Sequence, residues 1–442
     1  MTESTSATVR FEGLAGLPLA AAFDAGRLTS DGGLPWLAEA DRALGLCEAL
    51  GAEVPEWRRG PVRHSLTTLV RQRVYQIACG YADQDDADTL RADPLLKLAC
   101  GRLPEDGADL ASQPTLSRLE NAVDRGACYR LARALVGVYL RERERDGAPT
   151  QLLLDLDGTD DPAHGDQEGV RYHGYYRQHM YHPLLVFDGD TDQLITAVLR
   201  PGNAHGSRGG VAILERLVAA LRARWPGVAI ELRADSGFAI PALYDYCEAE
   251  RITYTVGLAP NARLEALAAP LLAEAEHQHA ETGAKVRLAG EASYQAKTWP
   301  HPRRVVFKAE VLAKGPNTRF VVTTRTDDPL AVYDRYVDRG ETEQWIGDFK
   351  LACFADRLSC HGFWANQFRL LLHAAAYWLL DTLRRRLIRL GVPRMQLDSL
   401  RLRLLKIGGR VRQLATRVRL SLASHHPGEP LWRLLAEARL TP

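Results

Sequence analysis

Residues 151–258 read as an α/β unit around a mixed sheet. QLLLDLDGTDD, at the start of this stretch, is a short apolar run that ends in carboxylates. YHPLLVFDGDTDQLITAVLRPG then reads as two strands joined at a Gly-Asp turn, a hairpin signal. Helical and extended patterns follow in alternation, and the order strand, hairpin, helix, strand, helix, strand indicates a mixed sheet.

Residues 1–150 are mostly helical in pattern. Asp31-Gly32-Gly33 makes a turn before LPWLAEADRALGL, whose apolar residues recur at helical spacing, and HSLTTLVRQRVYQIACGY repeats the pattern. ASQPTLSRLENAV is a helix opened by Ser112 with Pro114 in its first turn. Gly147 and Pro149 mark a boundary. Within 151–258, GGVAILERLVAALRARWPG is an amphipathic helix stopped at Pro226-Gly227, VAIELRADSGF a strand ending in a carboxylate, IPALYDYCEAERI a helix and TYTVGLA a strand. Residues 259–331 begin with a short helical piece and become a β-rich insertion, through KVRLAGEASYQAKTW, RRVVFKAEVLA and TRFVVTTR. Residues 332–356 return to helix, and 357–442 form a basic region that opens on a long, largely apolar helix.

Composition narrows the classes. A chain of 442 residues with 46% hydrophobic and 25% charged residues is ordinary for a soluble globular protein of two to four units. Net charge is only +1, so any nucleic-acid surface must come from local clustering. The seven cysteines form no C-x-x-C pair, which speaks against a zinc ribbon and for free thiols in a reducing cytosol. MTESTSATVRFEG lacks the basic and apolar regions of a signal peptide. The longest apolar stretch, LLLHAAAYWLL, is too short to span a membrane and reads as a buried helix. A cytoplasmic, nucleoid-associated protein is expected.

Asp157 follows LLLDL and Asp235 follows VAIELRA, so both fall at the C-terminal ends of strands, the edge of an open α/β sheet where sites form. Two such carboxylates suit hard divalent cations. The third candidate is Glu343. At ~100° per residue along a helix, Tyr336, Arg339, Glu343 and Lys350 fall within an arc of about 60°. One face would then carry a carboxylate among cations able to hold phosphate oxygens. Trp345 lies about 180° from Tyr336 and reads as core, with stacking on distorted DNA as the sharper alternative.

YVDRGETEQWIGDFK, residues 336–350, matches Y-x2-R-x3-E-x6-K in full. In this signature the chain resembles bacterial insertion-sequence DDE transposases. DLDGTDDP and LRADSGF are similar to that group's two aspartate blocks, and DGGLPWLAEADRALGL, GYADQDDADTLRADP and QEGVRYHGYYRQHMYHP are similar to its insertion sequence thirteen-eighty subgroup. The resemblance covers roughly residues 25–425. It implies a ribonuclease-H-like core, with Asp157, Asp235 and Glu343 catalytic and holding Mg²⁺ or Mn²⁺ as two ions. It also implies that Tyr336, Arg339 and Lys350 hold the DNA strand. The family's D-x-T falls on Asp157 and Thr159, and Asp155, one pleat earlier on the same face, remains a rival. Expected partners are double-stranded DNA, as element ends and target, and a second copy of the chain when ends are paired. The N-terminal helical region is expected to bind DNA ends, and ASQPTLSRLENAV is a candidate recognition helix.

From Arg384 to Arg419 the chain carries twelve Lys or Arg and one acid, Asp398. LRLRLLKI, Gly408-Gly409 and RVRQLATRVRLSL alternate apolar and basic residues, which predicts a β-hairpin about Gly-Gly with a cationic face. Arg401, Arg403, Lys406, Arg410 and Arg412 are its candidate DNA contacts. His164, His173, His179 and His182 read as surface loop residues near DNA, since zinc-site spacing is missing. Asp83, Asp85, Asp86 and Asp88 read as a solvated loop or helix start. Two rival functions share this fold: a nuclease that cuts without joining, and a non-catalytic DNA-binding descendant.

Overall fold

The computed structural model describes residues 8–15, 17–163 and 165–440. The first seven residues of the stretch read for a signal peptide, and His164, lie outside them. The chain divides into two compact units, Met1–Ala122 with Ala375–Pro442, and Val123–Ala374. They part at other points than the changes of texture near residues 150 and 356. The reason at the first point is a helix, α1 (Arg125–Arg143), that belongs to the second unit. Its Tyr139 hydroxyl donates to Asp188 Oδ2 at 2.8 Å, and Arg143 Nε donates to the same oxygen at 3.1 Å. The residue that anchors this helix lies in the hairpin beyond the apparent boundary.

The second unit is built on an eight-stranded mixed sheet. Its strands are β1 (Gln151–Gly158), β2 (Leu184–Asp188), β3 (Gln193–Val198), β4 (Ala229–Ala234), β5 (Thr253–Leu258), β6 (Val286–Tyr294), β7 (Arg303–Leu312) and β8 (Gly315–Thr323). Their order across the sheet is β6-β7-β8-β5-β4-β1-β2-β3. β1, β4 and β5 run parallel, and the β2–β3 hairpin and β8–β7–β6 meander extend the two sides antiparallel. Residues 152–156 and 230–234 are buried without a break, so side chains on both faces of these strands are covered. Helices α2 (Gly210–Arg224) and α3 (Pro241–Ala249) provide the parallel crossovers.

The mixed sheet expected from the order of elements is present, and the β-rich stretch after residue 259 does not stand apart from it. β8 pairs with β5 through Thr255↔Thr323 and Val256↔Val322, so the three later strands widen the same sheet. The helical piece before them is longer than its pattern suggested. α4 (Ala262–Thr282) runs 21 residues, with Asn261 capping its start and Gly283 in the left-handed conformation ending it.

Residues 329–352 are helical but not one helix. α5 (Pro329–Val337) ends in a 3-10 turn at Asp338–Gly340, α6 (Glu341–Gly347) follows, and Asp348–Ala352 widens into a π turn. A 3-10 turn advances 120° per residue, so three residues shift the phase by about 60° from an uninterrupted α-helix. The single face assigned to Tyr336, Arg339, Glu343 and Lys350 is therefore broken. Trp345 is core, 2% exposed, with its ring 5.6 Å from that of Phe187.

In the first unit, the helix Gln113–Asn121 begins after Ser112 with Pro114 in its first turn, as the sequence signalled. Asp86 opens the helix Asp86–Leu90, in agreement with a helix start there. The hairpin expected about Gly408-Gly409 does not form there. LRLRLLKI is helical, through Leu397–Leu400 and a π turn at Arg401–Leu405. Buried Leu397, Leu400, Leu404 and Leu405 follow helical spacing, and Leu402, which strict alternation would bury, is 63% exposed. The hairpin forms one step later, from Gly409–Gln413 and Val418–Leu422, with Leu28–Thr29 as a third strand. Arg410, Arg412, Arg417 and Arg419 are exposed on it, and Val411 is buried. All seven cysteines are buried. Among the described residues no helix is long and apolar enough to cross a membrane, and Leu370–Leu380 is buried.

Candidate active site

Register brings the two sequence-predicted aspartates together. β4 pairs with β1 in parallel, with Ala234 opposite Leu156, so Asp235 and Asp157 follow at the same edge of adjoining strands. Asp235 then caps a 3-10 turn at Ser236–Phe238, where its Oδ1 accepts from the Gly237 amide at 2.9 Å. The next strand approaches closely here. A Cβ on Gly257 of β5 would lie 2.5 Å from the Tyr336 hydroxyl, so glycine leaves room for that ring.

Asp157 is 7% exposed and accepts from Arg339 Nη1 at 2.7 Å. Burial raises its pKa, the Arg339 guanidinium opposes this, and the Asp235 charge raises it again, to about 6. Arg339 in turn is desolvated, yet the Asp157 charge holds its pKa above the ordinary value. The Tyr336 hydroxyl donates to Ala234 O at 3.4 Å, and its ring lies 6.0 Å from the Arg339 guanidinium. Asp157, Asp235, Tyr336 and Arg339 thus form one group.

Lys350 joins beside it. Its Nζ donates to Asp160 Oδ1 at 2.7 Å and to the Asp160 carbonyl at 2.8 Å. Burial disfavours the Asp160 charge, but the Lys350 bond outweighs it and leaves the carboxyl below its usual range. Glu343, on α6, is exposed and makes no hydrogen bond or ion pair within the described residues. No group of three or more His, Cys, Asp or Glu among the described residues is arranged to hold a metal ion. The structure therefore unites two of the three candidate carboxylates and leaves Glu343 apart.

Asp155 behaves differently. It is fully buried, and Arg233, its register partner on β4, donates to both its oxygens at 2.7 Å. A carboxylate held bidentately by arginine has little capacity left for a cation.

Two further groups were not singled out as site residues from sequence. Arg200 is 5% exposed, and its Nε and Nη1 donate to the carbonyls of His182 and Gly206. Its Nη2 is buried without a partner and would lie 3.2 Å from a Cβ on Gly158. Burial lowers its pKa to about 10 against the opposing charge of Asp235. His182, expected on a surface loop, is instead 6% exposed with Nδ1 2.8 Å from the Ala204 carbonyl, and burial lowers its pKa. The signal for both was position: each flanks the β2–β3 hairpin beside the strand that carries Asp157.

Of the basic candidates in the C-terminal region, Arg403, Arg410 and Arg412 are exposed. Arg401 is 7% exposed and donates to Ala78 O at 2.8 Å, and Lys406 pairs with Asp31 at 2.7 Å. Both are turned inward within their unit.

The family model for transposase DDE domain group 1 matches residues 11–441. The chain belongs to that family. It is a DNA transposase, and its family's chemistry depends on divalent metal. Among solved structures, the transposase is similar to the piggyBac transposase synaptic complex with hairpin DNA, at 12% identity and a TM-score of 0.43 over 86% of this chain and 80% of the other. It is also similar to the Mos1 transposase paired-end complex with the left transposon end, at 15% identity and a TM-score of 0.17 over 51% and 68%. No curated protein matches the sequence.

Proposed function

We propose that this transposase cleaves phosphodiesters at the ends of a DNA element and joins them to target DNA, with Asp157, Asp235 and Glu343 as its catalytic, metal-holding carboxylates. The observation that carries this reading is that Asp157 and Asp235 each come directly after the registered pair Leu156↔Ala234, at one edge of adjoining parallel strands. The order β3-β2-β1-β4-β5, with β1, β4 and β5 parallel, supports a ribonuclease-H-like core. The complete Y-x2-R-x3-E-x6-K match supports membership of the insertion sequence thirteen-eighty group.

The donor set suits Mg²⁺ or Mn²⁺, as two ions. Asp157 and Asp235 offer hard carboxylate oxygens, and a bound cation would compete with the Arg339 guanidinium for the one Asp157 oxygen it holds. Bound divalent ions supply Lewis acidity and an activated water or 3′-hydroxyl. The rest falls to side chains of this chain. Asp157 and Asp235 offer oxygens at the strand ends, and Glu343, apart from them here on the exposed side of α6, would have to approach them to add the third. Arg339, Tyr336 and Lys350 hold and orient the strand, as phosphoryl transfer depends chiefly on positioning and electrostatics. The unpartnered Arg200 Nη2 adds a buried positive charge beside Asp235. Double-stranded DNA is the partner, bound by the helical N-terminal region and by Arg403, Arg410 and Arg412, with two copies pairing two ends.

The test uses duplex DNA carrying the inverted repeats that flank the gene. Asp235→Ala and Glu343→Ala should each abolish Mg²⁺- or Mn²⁺-dependent cleavage while DNA binding persists. Wild-type cleavage by either variant overturns the assignment. Pre-cleaved ends that never join to target DNA would point to a nuclease.

A further inference from the structure

We propose that the turn joining strands Arg171–His173 and Gln178–Tyr181 is a base-stacking platform, taking an unpaired nucleotide of the bound DNA on Tyr175 and Tyr172, with Arg171 and Arg177 at its phosphates. This rests on the reading of the neighbouring carboxylates as the DNA-cleaving site.

Composition is the first support. Val170–His182 carries four tyrosines, three histidines and two arginines, and no acid. Basic residues interleaved with aromatics suit a polyanion whose bases offer π-faces. Exposure is the second. Tyr175 is 84% and Tyr172 54% exposed, and Arg171 and Arg177 are exposed beside them. Tyrosine needs only a flat partner to bury such a ring, and duplex bases are already covered by their neighbours, so the occupant is an unpaired base.

Placement is the third. Gln178 Nε2 donates to Asp160 Oδ2 at 3.1 Å, and Asp160 accepts from Lys350. His182, at the foot of the hairpin, comes within 2.7 Å of where a Cβ on Gly158 would stand, next to Asp157. Tyr176 bridges the two ends of the feature: its ring is 5.1 Å from Tyr175, 5.0 Å from His173 and 6.0 Å from His182. The charges of Asp160, Asp157 and Asp235 add to burial in raising the Tyr176 pKa to about 12. The inner tyrosine thus feels the aspartates while the outer two face solvent. The hairpin is also held in place, through Ala163 N to His179 O at 3.0 Å and Arg177 N to His173 O at 2.8 Å, so little ordering accompanies binding.

The experiment measures affinity of the full-length transposase, without divalent metal, for one duplex fully paired and for the same duplex with its last base pairs mismatched. Tyr172→Ala with Tyr175→Ala should weaken binding of the mismatched duplex roughly 5- to 100-fold and leave the paired duplex nearly unchanged. Tyr172→Phe with Tyr175→Phe should bind both as wild type, because the ring and not the hydroxyl does the stacking. An alanine pair that keeps wild-type preference for the mismatched end, or a phenylalanine pair that loses it equally, overturns the proposal. Metal-dependent cleavage that still needs Asp235 would then leave the transposase reading standing, whereas cleavage by Asp235→Ala would remove the ground beneath both.

Discussion

The middle of the β1–β4 pair and its end put the same residue types to opposite uses. In the middle, Asp155 and Arg233 are fully buried register partners joined by two short hydrogen bonds, and Arg233 Nη1 also donates to Arg335 O. One pleat further on, Asp157 is buried with a single arginine bond and a second carboxylate beside it. The first pair is saturated and structural. The second is held by one arginine bond, with the Asp235 charge raising its pKa, so it is not saturated by hydrogen bonds as the first is. The difference is made by partners and burial, not by residue identity.

Asp155→Ala is the hardest test of that contrast. It strands a buried guanidinium and should cost about 3–5 kcal/mol, read by urea unfolding. A loss under about 1 kcal/mol would place Asp155 outside the structural core. Trp345→Ala, on the buried back of α6, should cost a similar 3–5 kcal/mol by leaving a large cavity against Phe187.

Asp157→Asn should act with the opposite sign. A carboxyl raised from near 4 to about 6 binds its proton more tightly when folded. Stability therefore falls as pH climbs through that window, and the penalty is fully present above pH 6. Removing the charge should stabilise the protein by about 1–3 kcal/mol at pH 8, and the gain should vanish near pH 4. Equal unfolding free energies of variant and wild type at both pH values would contradict the poised state.

Glu343→Gln should leave stability within about 0.5 kcal/mol, since the residue is exposed. It should nonetheless remove cleavage, a separation that identifies a chemical role. The smallest effect is expected on the C-terminal hairpin. Arg410→Ala with Arg412→Ala should weaken DNA binding evenly across sequences and lower the salt slope by about one for each phosphate no longer neutralised. An unchanged slope would remove those arginines from the interface.

Much of the fold was legible because periodicity and chain order are local. The β2–β3 hairpin, the parallel strands and the carboxylates at their ends all follow from runs of fewer than about ten residues. The Tyr336–Lys350 segment was legible as helix but not in phase, because the 3-10 turn at Asp338–Gly340 and the π turn after Asp348 carry no strong propensity signal. LRLRLLKI satisfies both a two-residue and a helical period, and only burial of Leu404 and Leu405 with exposure of Leu402 decided between them. Arg200 and His182 were hidden as site residues since their role comes from neighbours distant in sequence.

Residue order alone therefore determined the mixed sheet, the motif blocks and the strand ends on which Asp157 and Asp235 stand, because side-chain alternation and strand length are short-range properties. Only the tertiary structure decided which carboxylate is saturated, which cations turn inward and which tyrosines face solvent. Those depend on desolvation and on partners supplied by other strands, and a linear pattern carries neither.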